Sequence, residues 1–179
     1  MIIDEEFAGL IPPLTEEEYR GLEASILADG CRDALVLWGD VLVDGHNRYR
    51  ICEAHGLPYK VVQKEFADRN EVLLWMLKNQ LGRRNLNDFQ RVEMVRKCED
   101  AVKAQAKERQ GTRTDLEDNI MEKFPQGTAR DELGAMAGVS GKTYEHAAAI
   151  LDEAPEEVIQ AARRNELSIN AAYEVTKLP

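Results

Sequence analysis

The sequence predicts an α+β fold, with a mixed N-terminal domain that contains a small sheet and an all-α C-terminal domain. Two apolar runs, ALVLW at 34–38 and VLV at 41–43, flank Gly39-Asp40, a pattern that is typical of a tight β-hairpin. Elsewhere apolar residues recur mostly at the helical spacing, between recognisable helix caps. The segment 110–126 has no sustained apolar period and is therefore expected to separate the two domains.

Capping residues mark where the first two long helices begin and end. Thr15 and Glu18 have the spacing of a capping box, and Gly30 follows the last apolar residue of that helix. Asp44 is the expected N-cap of the next helix, and Gly56 is its expected end. Both helices therefore belong to the N-terminal domain, one on each side of the hairpin.

The chain beyond this point predicts one more strand and two more helices. KVV at 60–62 is the strand, and NEVLLWMLKNQL at 70–81 is a largely buried helix. Asn87 and Gln90 resemble a second capping box, which opens a long helix to about Glu108. The apolar stripe of that helix is Phe89, Val92, Val95, Cys98 and Val102. We therefore expect an N-terminal domain at 1–109, a linker at 110–127 and a C-terminal domain at 128–179.

Charge limits the kinds of partner that the chain attracts. The 179 residues carry a formal net charge of −10. Residues 71–114 hold 10 basic and 6 acidic side chains (net +4), whereas residues 1–70 (7 basic, 14 acidic) and 115–179 (6 basic, 13 acidic) each carry −7. Because affinity for a phosphate backbone depends on local Lys and Arg contacts, the basic segment keeps nucleic-acid binding open, although the acidic remainder counts against it.

Cysteine usage and the N-terminus indicate the compartment. Cys31, Cys52 and Cys98 lie far apart in the sequence, without the spacing of a zinc site or a disulfide framework, and this favours a reducing compartment. The start, MIIDEEF, lacks the basic and apolar regions of a signal peptide, and no run approaches the roughly 18 apolar residues of a membrane span. We expect a cytoplasmic protein with no membrane partner and no bound metal.

The segment DGHNRYR is the candidate anion-binding site. A strand leads into Gly45 and a helix begins at once, so the first N–H groups of that helix have no partner within it and the helix dipole favours an anion there. His46, Asn47, Arg48 and Arg50 add donors within about one turn, and the Arg48 guanidinium suits a phosphate through two parallel hydrogen bonds. An ordinary strand-to-helix turn with a solvated first turn is the alternative.

The order of elements over residues 10–97, together with this segment, resembles the ParB/sulfiredoxin superfamily. The stretch from LTEEEYRGLEAS to GLPYKVV is similar to the ParB N-terminal pattern of helix, loop, hairpin and G-x-R-R-x-x-A box, and DGHNR is similar to the DGHHR variants in ParB-like proteins of mobile elements. In that family the box binds the triphosphate of a nucleotide, so the resemblance implies CTP or ATP as the ligand. The positions carried over from the family box are Gly45, Asn47, Arg48 and Arg50.

Departures from the family pattern bear on catalysis. Partition ParB proteins have Glu where this chain has His46, and their second box, E-N-x-x-R-x-x-L, resembles KNQLGRRNL at 78–86, where Lys78 replaces the glutamate. In the family that glutamate is implicated in Mg²⁺ binding and hydrolysis, so its replacement counts against Mg²⁺-dependent CTP hydrolysis, and no catalytic residue is assigned. The phosphate-binding candidates that remain in this box are Asn79, Arg83 and Arg84. A solvated loop is the alternative for the two arginines.

The sulfiredoxin branch of the superfamily places a reactive Cys between the glycine and the histidine of its box. Here His46 follows Gly45 directly, and Cys52 falls about two turns into the helix. A buried, inert thiol is therefore the expected state of Cys52, and sulfinic-acid reductase activity is disfavoured.

The segment TARDELGAMAGVSGKTYEHAAAIL has the layout of a helix-turn-helix and resembles the central domain of ParB-like proteins. Thr128 is the expected N-cap of its first helix, and Leu133 and Met136 face inward. Gly138 takes the left-handed turn, because a positive φ is costly for residues with a Cβ, and Ser140 caps the second helix. The residues placed to contact DNA are Ser140, Lys142, Thr143 and His146. A plain helical bundle that makes protein contacts is the alternative.

These patterns predict a DNA-binding ParB-like partition protein or transcriptional regulator of a bacterial mobile element such as a plasmid, with a nucleotide-phosphate-binding N-terminal domain. The alternatives are an enzyme of the same fold (an NTPase, a small-metabolite kinase or a nuclease), for which Asp44 and His46 are the available acid–base groups, and a nucleotide-independent adaptor. ParB relatives work as dimers. Since this sequence ends at Pro179 without their dimerisation domain, we expect a homodimer to form otherwise, for example through the helix at 88–108.

Overall fold

The computed structural model describes residues 1–82, 86–104 and 129–177, which divide into two compact units, Met1–Met76 and Leu77–Pro179. In chain order the first unit contains α1 (Glu5–Leu10), α2 (Glu16–Asp29), β1 (Leu35–Trp38), β2 (Val41–Asp44), α3 (His46–His55) and β3 (Val61–Gln63). Helix α4 (Arg69–Leu81) crosses the division. The second unit contains α5 (Asp88–Lys97), a helical segment at 99–104, α6 (Ala129–Ala137), α7 (Gly141–Glu153), α8 (Glu156–Arg163) and α9 (Ile169–Thr176).

The sheet has the strand order β2-β1-β3. Strands β1 and β2 pair antiparallel across the turn at Gly39-Asp40, which confirms the predicted hairpin, and β3 pairs parallel to β1, one residue later than predicted. The N-terminal segment lies along the free edge of β2: the Ile2 N–H donates to the Asp40 carbonyl at 2.7 Å, and the Leu42 N–H donates to the Ile2 carbonyl at 2.9 Å. The first residues of the chain are thereby held beside the hairpin.

Helix α2 begins and ends as its sequence predicts. The Thr15 hydroxyl accepts from the Glu18 N–H at 3.2 Å, and the Glu18 carboxylate accepts from the Thr15 N–H at 2.8 Å, which completes the capping box. Gly30 ends the helix with φ +77°. Helix α2 packs against α3 through Ile26, which is buried with Ile51 and Cys52.

The predicted N-cap of α3 is wrong. Asp44 is the last residue of β2, and Gly45 is the N-cap, in a left-handed conformation and without any side-chain cap. The hairpin extends one residue further than its apolar run, because Asp44 pairs with Val36 across the ladder. The strand therefore passes into the helix through a single glycine. Gly56 ends α3 as predicted, with φ +61°.

The long helix predicted from Asn87 to Glu108 is interrupted within the described residues. The Asn87 and Gln90 capping box is confirmed, but α5 ends at Lys97. At Cys98 the N–H is shared between the Met94 and Val95 carbonyls, a tighter turn than the α-helix, before helix resumes at 99–104. Residues 105–108 lie outside the described part of the chain.

Helix α5 packs with the C-terminal helices. The predicted stripe is buried throughout, at Phe89, Val92 and Val95 on α5 and at Cys98 and Val102 beyond it, and α5 contacts α6, α7 and α8. The compact units consequently divide at residues 76 and 77, earlier than the predicted boundary at residue 109. The predicted linker at 110–127 and the predicted cap Thr128 lie outside the described residues.

Helices α6 and α7 cross closely at two glycines. A Cβ on Gly134 would lie 2.9 Å from the Gly141 nitrogen, so this contact requires the small residue. Gly138 takes the left-handed turn with φ +72°, and the Thr143 N–H donates to the Ser140 hydroxyl at 3.1 Å, as the sequence predicts. Leu133 is buried, whereas Met136 is only half-buried. None of the described helices combines the length and apolar character that crossing a membrane requires.

Gly134→Ala is expected to lower the free energy of unfolding of the second unit by about 1–3 kcal/mol, because the added methyl overpacks this crossing. Gly21→Ala in α2 is the matched control: its Cβ would meet nothing within 4 Å, so the higher helix propensity of Ala should raise stability by about 0.5–1 kcal/mol. Denaturant unfolding followed by circular dichroism measures both. Equal changes in the two variants would contradict the close crossing.

Candidate functional site

The junction between β2 and α3 depends on the backbone of Gly45. This residue is buried and has φ +97° and ψ 22°, a conformation that residues with a Cβ rarely adopt. A Cβ at this position would also lie 2.5 Å from Leu35 Cδ2 and 3.0 Å from Arg48 Nη2. Both the torsion angle and the space therefore require glycine, and α3 starts directly from the end of the strand.

The first turn of α3 presents backbone N–H groups without a helical partner. The first intrahelical hydrogen bond runs from the Tyr49 N–H to the Gly45 carbonyl at 2.8 Å. The N–H groups of His46, Asn47 and Arg48 precede it, so they have no acceptor within the helix, and no side chain caps them. These amides and the positive end of the helix dipole form a site that suits an anion.

Arg48 is directed inward, behind the turn. Its Nη2 donates to the Ala34 carbonyl and to Asp44 Oδ2, both at 3.2 Å, and the Arg48 and Asp44 side chains are only 19% and 15% exposed. The Nε atom is buried and has no hydrogen-bond partner among the described residues. The two-bond contact with a phosphate that the sequence predicts for Arg48 therefore competes with contacts that join α3 to the hairpin.

A pocket of about 490 Å³ lies beside the first two turns of α3. Its polar side is lined by His46, Asn47, Arg50 and Glu53. The opposite wall is apolar and consists mainly of Ile3, Ile11, Pro12, Pro13, Leu14 and Tyr19. The pocket therefore combines the Arg50 cation, the Asn47 amide and the Glu53 carboxylate with an apolar surface. An anionic group fits best at the Asn47 and Arg50 end, and a flat or apolar group fits against the apolar wall.

His46 contributes a buried imidazole to this pocket. Both ring nitrogens are buried and have no hydrogen-bond partner among the described residues. Burial lowers the pKa of His46; the negative charge of Asp44 opposes that change, and the positive charge of Arg50 adds to it. The ring is therefore neutral at pH 7 and offers one donor and one acceptor.

The second predicted phosphate box is described only in part. Asn79 is exposed on α4 and belongs to the second compact unit. Arg83 and Arg84 lie outside the described residues. The contribution of all three residues to phosphate binding therefore stays a prediction.

The predicted DNA-contacting residues lie at and after the start of α7. Lys142 is exposed, and the Ser140 hydroxyl lies 2.8 Å from the Thr143 hydroxyl, so both hydroxyl groups already take part in the helix cap. The His146 ring stacks on Tyr173, with centroids 4.0 Å apart and planes 12° apart. Its Nδ1 also lies 3.2 Å from Asn170 Oδ1. His146 is thus held against α9, whereas Ser140 and Lys142 are exposed.

Sequence reasoning missed the apolar wall of the pocket. The residues from Ile11 to Leu14 follow no helical or strand period, and Ile3 lies far from α3 in the sequence. The available signal was an apolar Pro-Pro run directly before the capping box at Thr15. Here the run lines the same pocket as the first two turns of α3.

Lowering the pH below about 6.5 is expected to destabilise the first unit, because the folded-state pKa of His46 lies below its unfolded value. Between these two values the unfolded chain binds more protons, so stability falls as the pH falls. His46→Gln should remove the part of this loss that comes from His46, so the variant's stability should fall less between pH 7.5 and pH 5 than that of the wild type. Urea unfolding at the two pH values measures the change in the free energy of unfolding. His55→Gln, on the same helix, is the control, and an equal effect of both variants would contradict the burial of His46.

Comparison with known proteins places this geometry in a known fold. No protein-family model matches the chain, and no curated protein matches it. Among solved structures, a Pnob8-like ParB-N domain matches over 98% of this chain and 75% of its own, with a TM-score of 0.63 and 19% identity. The C-terminally truncated chromosome-partitioning protein ParB from Caulobacter crescentus, complexed with CTP-gamma-S, matches over 99% of this chain and 87% of its own, with a TM-score of 0.41 and 16% identity. On the first of these similarities, the chain has a ParB-like α+β fold.

Proposed function

We propose that this chain is a DNA-binding protein of the ParB kind whose first unit binds the phosphate groups of a nucleotide. One observation carries the proposal: the uncapped start of α3 lies beside a pocket with one polar and one apolar side. The ParB-like fold and the similarity of DGHNR to the ParB box support the same ligand class. CTP and ATP are the nucleotides that we propose.

We assign each residue at the pocket a different role in binding such a ligand. The N–H groups of His46 and Asn47 bind phosphate oxygens, and Arg50 adds a full positive charge. The neutral His46 ring forms part of the pocket wall, with both of its nitrogens buried. The apolar wall covers the base or the ribose. Arg48 stabilises the turn by donating hydrogen bonds to Asp44 and to the Ala34 carbonyl.

Arg50→Gln is expected to weaken CTP or ATP binding about 10- to 100-fold, because a hydrogen bond to a charged group contributes on the order of 1.5–3 kcal/mol. Arg32→Gln is the matched control: Arg32 is an exposed arginine of the same unit, paired with Asp29 and absent from the pocket lining. Isothermal titration of the full chain with CTP, ATP and inorganic triphosphate measures the affinities.

Three results of this titration are informative. Tight binding of CTP or ATP with weaker binding of triphosphate supports a role of the apolar wall. Equal affinity of the wild type, Arg50→Gln and Arg32→Gln would place any nucleotide elsewhere on the chain. No binding of any probe to the wild type would end the nucleotide part of the proposal.

The second unit carries the DNA-binding part of the proposal. We propose that its α6 and α7 act as a helix-turn-helix; Ser140 caps the second of these helices, and Lys142 is exposed in its first turn. Contacts from this turn reach the phosphate backbone, in keeping with the scarcity of base-reading side chains on α7. In the cell we propose a cytoplasmic role in plasmid partition or in transcription from a mobile element, with nucleotide binding as the regulator.

Lys142→Gln is expected to weaken duplex-DNA binding at every sequence tested and to reduce the slope of log K against log salt by about 1, because one phosphate contact is lost. Lys60→Gln makes the same charge change in the first unit and should leave both quantities unchanged. Fluorescence anisotropy at several salt concentrations measures them. No binding at low salt would end the DNA part and leave the nucleotide part standing.

A further inference from the structure

Two cysteines that are distant in the sequence lie in contact in the first unit. Cys31 follows Gly30, the C-cap of α2, and packs against the buried cluster of Ile26, Ile51 and Cys52. Burial raises the pKa of the Cys52 thiol, and the neighbouring Cys31 thiol raises it further, in keeping with this packing. The contact thus joins the end of α2 to the middle of α3.

The two thiols differ in their access to solvent. Cys52 is fully buried, whereas Cys31 is half-buried and its Sγ donates to the Asp33 carbonyl at 3.4 Å in an exposed turn. A small oxidant therefore reaches Cys31 first. Cys98 is buried in the other unit and supplies an internal reference within the same chain.

We propose that Cys31 and Cys52 form a reversible intramolecular disulfide when the chain meets a hydroperoxide. The reaction proceeds in two steps through one sulfenic acid. It depends only on the contact between the thiols and on the exposure of Cys31, and so it is independent of the proposed function.

The accessible thiol reacts first. The Cys31 sulfur attacks one oxygen of hydrogen peroxide, the O–O bond breaks, and the thiol becomes a sulfenic acid while water leaves. The Cys52 sulfur then attacks the Cys31 sulfur, and the S–O bond breaks. The Cys52 proton joins the departing hydroxide as a second water. Burial raises the pKa of Cys52, and the neighbouring Cys31 adds to this effect, which disfavours Cys52 as the thiol that peroxide oxidises first.

The proposed disulfide closes a ring of the chain that includes the elements beside the pocket. The covalent ring from residue 31 to residue 52 contains β1, β2 and Gly45. Cross-linking its ends restricts the unfolded chain and holds α3 to the end of α2. A thiol-reducing compartment would reverse the bond, as expected for a transient rather than a structural disulfide.

Peptide mapping of the native full chain tests this inference. The protein is exposed to hydrogen peroxide, its remaining thiols are blocked with a maleimide after unfolding, and the digest is analysed by mass spectrometry with and without dithiothreitol. The wild type and Cys98→Ala should lose the maleimide label on Cys31 and Cys52 together and gain one linked peptide pair, which dithiothreitol separates. In the wild type, Cys98 should keep its maleimide label.

Single variants identify the order of the steps. Cys31→Ser, at the half-buried position, should leave Cys52 reduced and labelled. Cys52→Ala should leave Cys31 as a sulfenic acid that a dimedone probe captures. The inference is overturned if wild-type Cys31 proceeds to sulfinic acid while Cys52 stays labelled, if the only linkage joins two chains, or if peroxide leaves both thiols free.

Discussion

The left-handed backbone of Gly45 sets the geometry around the candidate site. Since β2 and α3 meet at this single residue, the direction of the helix is fixed by the end of the strand. Leu35 packs below the turn so closely that a Cβ would not fit, and Arg48 closes it from behind. The same constraint leaves the first amides of α3 without a capping side chain, because glycine has none to offer.

The two arginines of this helix have different surroundings. Arg48 joins α3 to the hairpin, since it donates to Asp44 at the end of β2 and to Ala34 directly before β1. Hydrogen bonds between charged partners that are mostly buried are strong, and removing one partner leaves the other uncompensated. Arg50 lies on the pocket side. Arg48 thus stabilises the turn, whereas Arg50 is available to a ligand.

In the second unit, contacts between α5 and α8 explain why the compact unit begins before the predicted linker. The Arg163 guanidinium donates to both carboxylate oxygens of Glu93, at 3.0 and 2.7 Å. Burial alone would raise the pKa of Glu93, but Arg163 and Lys97 outweigh it and the pKa is lowered. The Asn87 amide donates to the Ala162 and Arg163 carbonyls, both at 3.1 Å, so the residue that caps α5 also satisfies the end of α8.

The sequence by itself determined the features whose causes are local. The capping boxes at Thr15 and Asn87 and the turn at Gly39 follow from hydrogen bonds and torsion angles within a few residues, and each was predictable. Only the tertiary structure decided the inward direction of Arg48 and the contact between Cys31 and Cys52. Those features depend on which distant elements pack together, and an identical short motif presents its side chains differently when its neighbours change.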